Sequence, residues 1–332
     1  MSLDLNRKTI TKNAYRITKV RNKTALRLRV PGGHLDARYL ALIQNIAEQY
    51  GNGTVHLTTR QGFEVPGIDY NDIPEINKKI KPLLEGIEMT AGVNLPGTES
   101  GYPSAGTRNI SACIGNRVCP FANADTTGLA LRLEKEVYPH DYHVKIAITG
   151  CPNDCIKAHL HDFGVICQTE PQYDTDSCIS CEACVKVCKQ FVTGALTMVN
   201  GRIKRDEQLC IGCGECILKC PTSAWTRNPK KFYRLIIMGR TGKRNPRLAT
   251  TFLTWAEESV IVNVIKNTYA YIDQYINKSL PKEHVGYIFD RTGYAVFKDA
   301  VLKDTPLNPE AHIAESIRFS GYEYEHGSGR PA

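Results

Sequence analysis

A chain of 332 residues with 42% hydrophobic and 23% charged side chains is long enough for two or three packed domains and too ordinary in composition for wholesale disorder. Its net charge is +8, no run of eighteen apolar residues offers a membrane-spanning helix, and the basic N-terminal stretch lacks the apolar core of a secretory leader. A cytoplasmic setting is therefore expected, where thirteen cysteines read as metal ligands rather than disulfides.

The charge is uneven. Residues 1–30 hold nine Lys and Arg against Asp4 alone, and residues 216–256 hold nine with no acid. Such a surplus suits a solvated or nucleic-acid-binding face, or else a pocket for a polyanionic cofactor and an anionic substrate.

In chain order, the period-2 stretch in YRITKVRNKTALRLRV predicts a strand, and HLDARYLALIQNIAEQYG a helix closing at Gly51. TVHLTTRQGFEVPGI predicts a second strand ending near Pro66, and IPEINKKIKPLLEGI a helix disturbed by Pro82. This alternation points to an α+β fold rather than an all-helical one. Residues 92–110 read as loop, and a helix is expected from Pro120 through FANADTTGLALRLEKEVY. YHVKIAIT and DFGVIC read as strands, with CPNDCIKAH opening a helix between them. After Trp225 come strand-like FYRLIIMG, a Gly/basic loop, a long helix from about Leu248 to Asn277, and a loose polar tail from Gly321.

Eight cysteines fall in a short segment that interrupts this pattern. Cys178, Cys181, Cys184 and Cys188, then Cys210, Cys213, Cys216 and Cys220, spell C-x2-C-x2-C-x3-C twice, the run of bacterial two-cluster ferredoxins. Three close thiolates wrap one cubane, and the fourth reaches the other. Cys178, Cys181, Cys184 and Cys220 are thus expected on one [4Fe–4S] cluster, and Cys210, Cys213, Cys216 and Cys188 on the second. A pair of zinc sites fits this spacing poorly. Lys189 stands where the second run has Pro221.

Five cysteines remain. Cys113 and Cys119 form C-x5-C, and Cys151 and Cys155 form C-x3-C in TGCPNDC. Alone, C-x3-C suits a structural pair, a zinc half-site or an iron–sulfur half-site. Pro120 and Pro152 suit helix first turns, whose dipoles favour an anionic cluster, so the four are expected on a third cubane. Cys167, within a strand, reads as a core thiol.

C-x5-C followed by G-C-P-N-x-C resembles the sirohaem-binding sulfite and nitrite reductases. The likeness extends through LTTRQGFEVPGI, AGTRNISACIGNRVCPFANADT, VKIAITGCPNDC and YRLIIMGRTGKRNPRLA, most of residues 50–250. It implies that Cys155 bridges the cluster to sirohaem iron, that Arg60, Arg108 and Lys145 face the substrate, and that Arg240, Lys243, Arg244 and Arg247 hold sirohaem carboxylates. His143 stands where relatives often carry Lys; strand alternation puts it on the face of Lys145. Lys157 is a weaker candidate. The implied domains are residues 1–90, an α+β ferredoxin-like substrate-side domain; 91–170 with 225–320, the sirohaem and [4Fe–4S] domain; and 171–224, the inserted two-cluster ferredoxin. A ferredoxin insertion after DFGV resembles the dissimilatory-type and anaerobic sulfite reductases, and a single half-domain on so short a chain resembles their catalytic subunits.

The chemistry agrees. Reducing sulfite to sulfide needs six electrons, which clusters can relay, cations to hold the anion, and donors to protonate departing oxygens. Arg anchors and Lys donates. Neither G-x-G-x-x-G nor G-x-x-x-x-G-K-[ST] occurs, so electrons are expected from iron–sulfur and flavin or NADH subunits of a complex. Nitrite reduction to ammonia, a non-enzymatic electron carrier with three cubanes, and a nucleic-acid binder with structural iron–sulfur are the rivals. The preferred expectation has neither a nucleic-acid nor a membrane partner.

Overall fold

The computed structural model describes residues 14–91, 108–138, 140, 142–242, 245–280 and 283–321. Most of the expected 92–110 loop and the tail beyond Gly321 lie outside them. The chain divides into two compact units: Met1–Ala112 with Thr127–Ile146 and Ile265–Val301, and Cys113–Thr126 with Ala147–Val264 and Leu302–Ala332.

The first unit opens with β1 (Tyr15–Ile17), β2 (Lys23–Leu28), α1 (Leu40–Gln49), β3 (His56–Leu57), β4 (Phe63–Asp69) and α2 (Ile73–Ala91). The sheet order is β1-β2-β4-β3, antiparallel throughout. Its core joins Leu26, Leu28, Val65 and Ile68 of the sheet to Ile46, Ile76 and Ile80 of the helices. The stretch expected as one strand near the N-terminus is a hairpin, turned at Asn22 with φ 64. Pro66 does not end β4. It lies opposite Ala25 beside a register shift, where a residue lacking N–H is tolerated. Pro82 does not interrupt α2 either; Pro82 and Lys78 are both exposed, so water can satisfy the carbonyl whose donor is missing.

The chain continues through β5 (Ser111–Ala112), α3 (Thr126–Val137), β6 (Ile146–Thr149), β7 (Phe163–Gln168), β8 (Pro171–Tyr173), α4 (Ala183–Phe191), β9 (Leu196–Val199) and β10 (Arg202–Arg205). Then come α5 (Glu215–Lys219), β11 (Trp225–Arg227), β12 (Phe232–Ile237), β13 (Thr250–Ala256), α6 (Glu258–Tyr275), α7 (Val285–Thr292), α8 (Tyr294–Leu302) and β14 (His312–Ile313).

The sheet of the second unit runs β14-β13-β12-β7-β6, and every position of β7 is buried. Between β7 and β12, strands β8 and β11 pair antiparallel, Pro171 opposite Arg227 and Tyr173 opposite Trp225, and draw the two ends of the cysteine-rich segment together. The hairpin β9–β10 and helices α4 and α5 complete it around Val185, Leu196, Ile203 and Trp225.

Three expectations fail here. Residues 250–256 are strand, and the helix begins at Glu258; TTFLTW is β-branched and aromatic, which suits a pleated surface. The helix expected at Pro120 starts at Thr126. CPNDCIKAH forms turns and a short 3-10 helix at Ala158–Leu160, because Asp154 and Lys157 adopt φ of 49 and 60, outside the α-helical range. Neither cysteine pair therefore begins an α-helix, and no helix dipole of the expected kind serves them. Among the described residues, no helix is long and apolar enough to cross a membrane.

Candidate functional site

In the first unit a cavity of about 320 Å3 is lined by Arg16, Arg27, Arg29, Arg60, Arg108 and Lys145, with Glu64 the single carboxylate. The β3–β4 connection presents Arg60. Gln61 adopts φ 61, its N–H donates to Thr58 O at 3.0 Å, and its side chain exchanges hydrogen bonds of 2.7 and 2.8 Å with the Ala112 backbone. Asn109 Nδ2 donates to Val30 O at 2.9 Å and to Arg60 O at 2.5 Å, fixing the Arg60 backbone from a second side. Arg108 Nη2 donates to His143 Nδ1 at 3.0 Å. A guanidinium only donates, so that imidazole nitrogen carries no proton. The strand expected from Tyr142 begins only at Ile146, so residues 143–145 precede it; there Val144 is buried while His143 and Lys145 are half-buried. Lys145 lines the cavity; His143 holds Arg108 instead.

Sequence reading did not single out Arg16, Arg27 and Arg29, although the basic surplus of residues 1–30 pointed to their neighbourhood. Arg29 is 4% exposed and pairs with Glu134, which is fully buried. Burial pushes the Glu134 carboxyl up, against the opposing pull of Arg29. Arg27 and Arg16 both bond Glu64, at 2.6 and 3.2 Å. Burial alone would raise the Glu64 pKa, but these guanidinium contacts outweigh it and leave the carboxyl below its ordinary value.

In the second unit the two cysteine pairs meet. Cys113 N–H donates to Ile148 O at 3.0 Å, and Gly150 N–H donates to Cys113 Sγ at 3.0 Å. Burial, with the nearby Cys119, Cys113 and Cys155 sulfurs, pushes the Cys151 thiol up. Of the four, Cys155 is exposed and Cys151 buried. Asp154 pins the turn through bonds from Ala158 N at 2.6 Å and His159 Nδ1 at 2.6 Å. Lys157 is exposed. Cys167 is fully buried in β7, which raises its thiol strongly.

Within the cysteine-rich segment, burial raises Cys213 to about 11 and Cys216 further. Cys216 feels Cys213 and Cys210, Cys213 feels Cys188, and Cys184 feels Cys220. Trp225 Nε1 is buried without an oxygen or nitrogen acceptor and faces Cys184, whose ionisation it favours. A metal-bound thiolate at Cys184 would accept from this donor, so the residues fit an iron–sulfur cluster. Among the described residues, no three His, Cys, Asp or Glu side chains form a site for a single metal ion.

Arg240 Nε donates to Asn245 O and Arg247 Nε to Met238 O, both at 2.8 Å, and Arg247 stacks 3.7 Å over Phe319. Lys243 and Arg244 lie outside the described residues. Arg234, on β12 opposite Ile166, shares a sheet face with Ile236. Its Nε is buried without a partner, and desolvation depresses its pKa. A buried cation of this kind fits an anionic cofactor. A lone Arg in the apolar run FYRLIIMG was its sequence signal.

The chain matches the family model for the nitrite and sulphite reductase 4Fe-4S domain over residues 104–308, and that for the nitrite/sulfite reductase ferredoxin-like half domain over residues 18–83. It is 46% identical over 322 residues to a subunit of the anaerobic sulfite reductase of Salmonella typhimurium, covering 96% of each chain. It is 29% identical over 275 residues to a coenzyme F420-dependent sulfite reductase of Methanocaldococcus jannaschii, covering 82% of this chain and 41% of that protein. The crystal structure of dissimilatory sulfite reductase I superposes with a TM-score of 0.65 at 18% identity, over 93% of this chain and 76% of that one. The α+β architecture, the cysteine pattern and these matches together establish that the chain belongs to the nitrite and sulphite reductase family.

Proposed function

We propose that this chain is the catalytic subunit of an anaerobic, dissimilatory-type sulfite reductase, working in the cytoplasm and reducing sulfite to hydrogen sulfide. Six electrons and eight protons convert sulfite to hydrogen sulfide and three waters. The observation that carries the anion-reducing role is the cavity where six cations face one carboxylate. Sulfite is preferred over nitrite because of the 46% identity to a sulfite reductase component across 96% of both chains.

Three [4Fe–4S] clusters are assigned to the twelve cysteines as follows: Cys113, Cys119, Cys151 and Cys155; Cys178, Cys181, Cys184 and Cys220; and Cys210, Cys213, Cys216 and Cys188. Sirohaem would be held through Cys155 sulfur, with Arg234, Arg240, Lys243, Arg244 and Arg247 available to its carboxylates. When bound, the sirohaem–cluster centre supplies electrons to substrate. Arg60 and Arg108 remain charged and hold the anion. Lys145 donates protons to departing oxygens, and His143 keeps Arg108 oriented. Residues 1–90 form the substrate-side domain, 91–170 with 225–320 the reductase domain, and 171–224 the ferredoxin insertion. Iron–sulfur and flavin or NADH subunits deliver the electrons.

The test is Cys155→Ser, since oxygen is a harder ligand than sulfur and axial ligation tunes haem iron strongly. The substitution should shift the sirohaem spectrum, remove its magnetic coupling to the cluster, and lower sulfite reduction by about 100-fold or more. Cys167→Ser should leave both properties nearly unchanged. Full coupling in Cys155→Ser, or its loss in Cys167→Ser, places the bridge on another sulfur. Faster turnover of nitrite than of sulfite by the unaltered protein, each at saturation, favours the nitrite reading.

A further inference from the structure

The two cysteine loops of the ferredoxin-like segment differ in their surroundings. The first, Cys178–Glu182, is open to solvent: Ile179 is 65% exposed and Cys181 is exposed. Ser180 Oγ ties it to Gly201 O at 2.6 Å, within the same segment. The second loop, Cys210–Gly214, is gripped from outside. Gln168 Nε2 donates to Ile211 O at 3.0 Å, and Thr169 N–H donates to Gly212 O at 2.9 Å. Asn123, 2% exposed, directs Nδ2 at Gly212 O and Cys213 O at 3.3 and 3.4 Å.

The same asparagine is bound to the other cysteine group. Its backbone N–H donates to Gly150 O at 2.7 Å, directly before Cys151, and it follows Cys119 by four residues. Arg227 closes the clamp, with Nε donating to Asn123 Oδ1 at 3.1 Å and Nη2 to Pro120 O at 2.7 Å. Gly212, at φ 69, is essential to the fit, because a Cβ there would stand 2.9 Å from both Gln168 Cβ and the Trp255 ring.

We infer that Asn123, held by Arg227, is a positioning residue that seats the Cys210–Cys216 loop against the Cys113, Cys119, Cys151 and Cys155 group, making its cluster the inner station and the Cys178, Cys181, Cys184 cluster the outer one. This order rests on the assignment of the twelve cysteines to three clusters. With the clusters bound, the exposed outer one would take one electron at a time from a low-potential donor, which is thereby oxidised, and the inner one would relay it toward the third; Asn123 and Arg227 hold the inner loop in place for that relay, and no covalent bond forms or breaks. The path from Gly212 O through Asn123 to Gly150 O and Cys151 is hydrogen-bonded and buried, the setting in which such contacts are strongest.

The test uses anaerobically purified holoprotein. Cys181→Ser should remove the outer cluster and leave a reduced ferredoxin-type signal that relaxes fast in EPR, because its neighbour would be the cluster coupled to paramagnetic sirohaem iron. Cys213→Ser should leave a slowly relaxing signal. The reverse pattern, or equal relaxation, overturns the order. If Cys213→Ser does not fold, Asn123→Ala decides the matter. Electron arrival at sirohaem after a dithionite pulse should slow about tenfold with all clusters and their potentials intact, since small misplacements cost large factors in rate. Arg227→Ala should slow it similarly, with Arg227→Lys restoring much of the rate. Unchanged arrival in Asn123→Ala overturns the clamp. Iron and sirohaem content of the unaltered protein separates failure of this order from failure of the cluster assignment.

Discussion

The cation-lined cavity of the first unit and the cysteine-rich segment of the second gather their candidate functional groups in opposite ways. The segment takes eight cysteines from two short runs, so spacing along the chain nearly dictates the grouping. The cavity draws on a strand for Arg27, a hairpin connection for Arg60, and distant segments for Arg108 and Lys145. Local assembly should fail locally. An assembly spanning more than a hundred residues should fail together with its fold.

The largest loss is expected at Glu134. Glu134→Gln leaves Arg29 buried without its counter-charge and should destabilise the first unit by about 3–5 kcal/mol, measured by urea unfolding. A loss below about 1 kcal/mol would show that the cavity does not depend on that buried pair. Next, if the cavity holds the substrate anion as proposed, Arg108→Ala should lower sulfite turnover about 100-fold by removing a fixed cation from it. His143→Ala should cost about tenfold, because Arg108 keeps its charge and loses only its orientation. Steady-state assays with a chemical reductant compare the two, and equal losses would give His143 a direct part in the reaction.

Cys210→Ser probes the locally assembled region. It should damage one ferredoxin cluster, keep sirohaem bound, and reduce partner-driven turnover more than dithionite-driven turnover. Sirohaem loss in this variant would contradict local failure. The smallest effect is expected at Glu64. Its carboxyl is held below its ordinary value, so its contribution is complete above about pH 4.5 and disappears as pH falls through the lower folded value. Glu64→Gln should cost about 1 kcal/mol at neutral pH and flatten the acid limb of the stability curve.

Cysteine chemistry was legible because its signal is spacing. The α+β class was legible because periodicity separates strands from helices. Arg27 and Arg29 were visible as charges, but only the folded arrangement, with Arg27 on β2 opposite Glu64 of β4, shows them lining a cavity. Asn123 carried no signal, since its value lies in contacts with Gly150 and Gly212, 27 and 89 residues away by subtraction of the sequence numbers. The helices expected at Pro120 and Pro152 failed for a related reason. Proline is compatible with a helix start and equally with a turn, and the positive φ at Asp154 and Lys157 resolves the second case in favour of a turn.

Total iron and extracted pigment in anaerobically purified protein bear on the whole cofactor assignment at once. Three cubanes and one sirohaem require about thirteen irons per chain and one extractable sirohaem. Stoichiometric zinc with little iron, or iron without sirohaem, would contradict it.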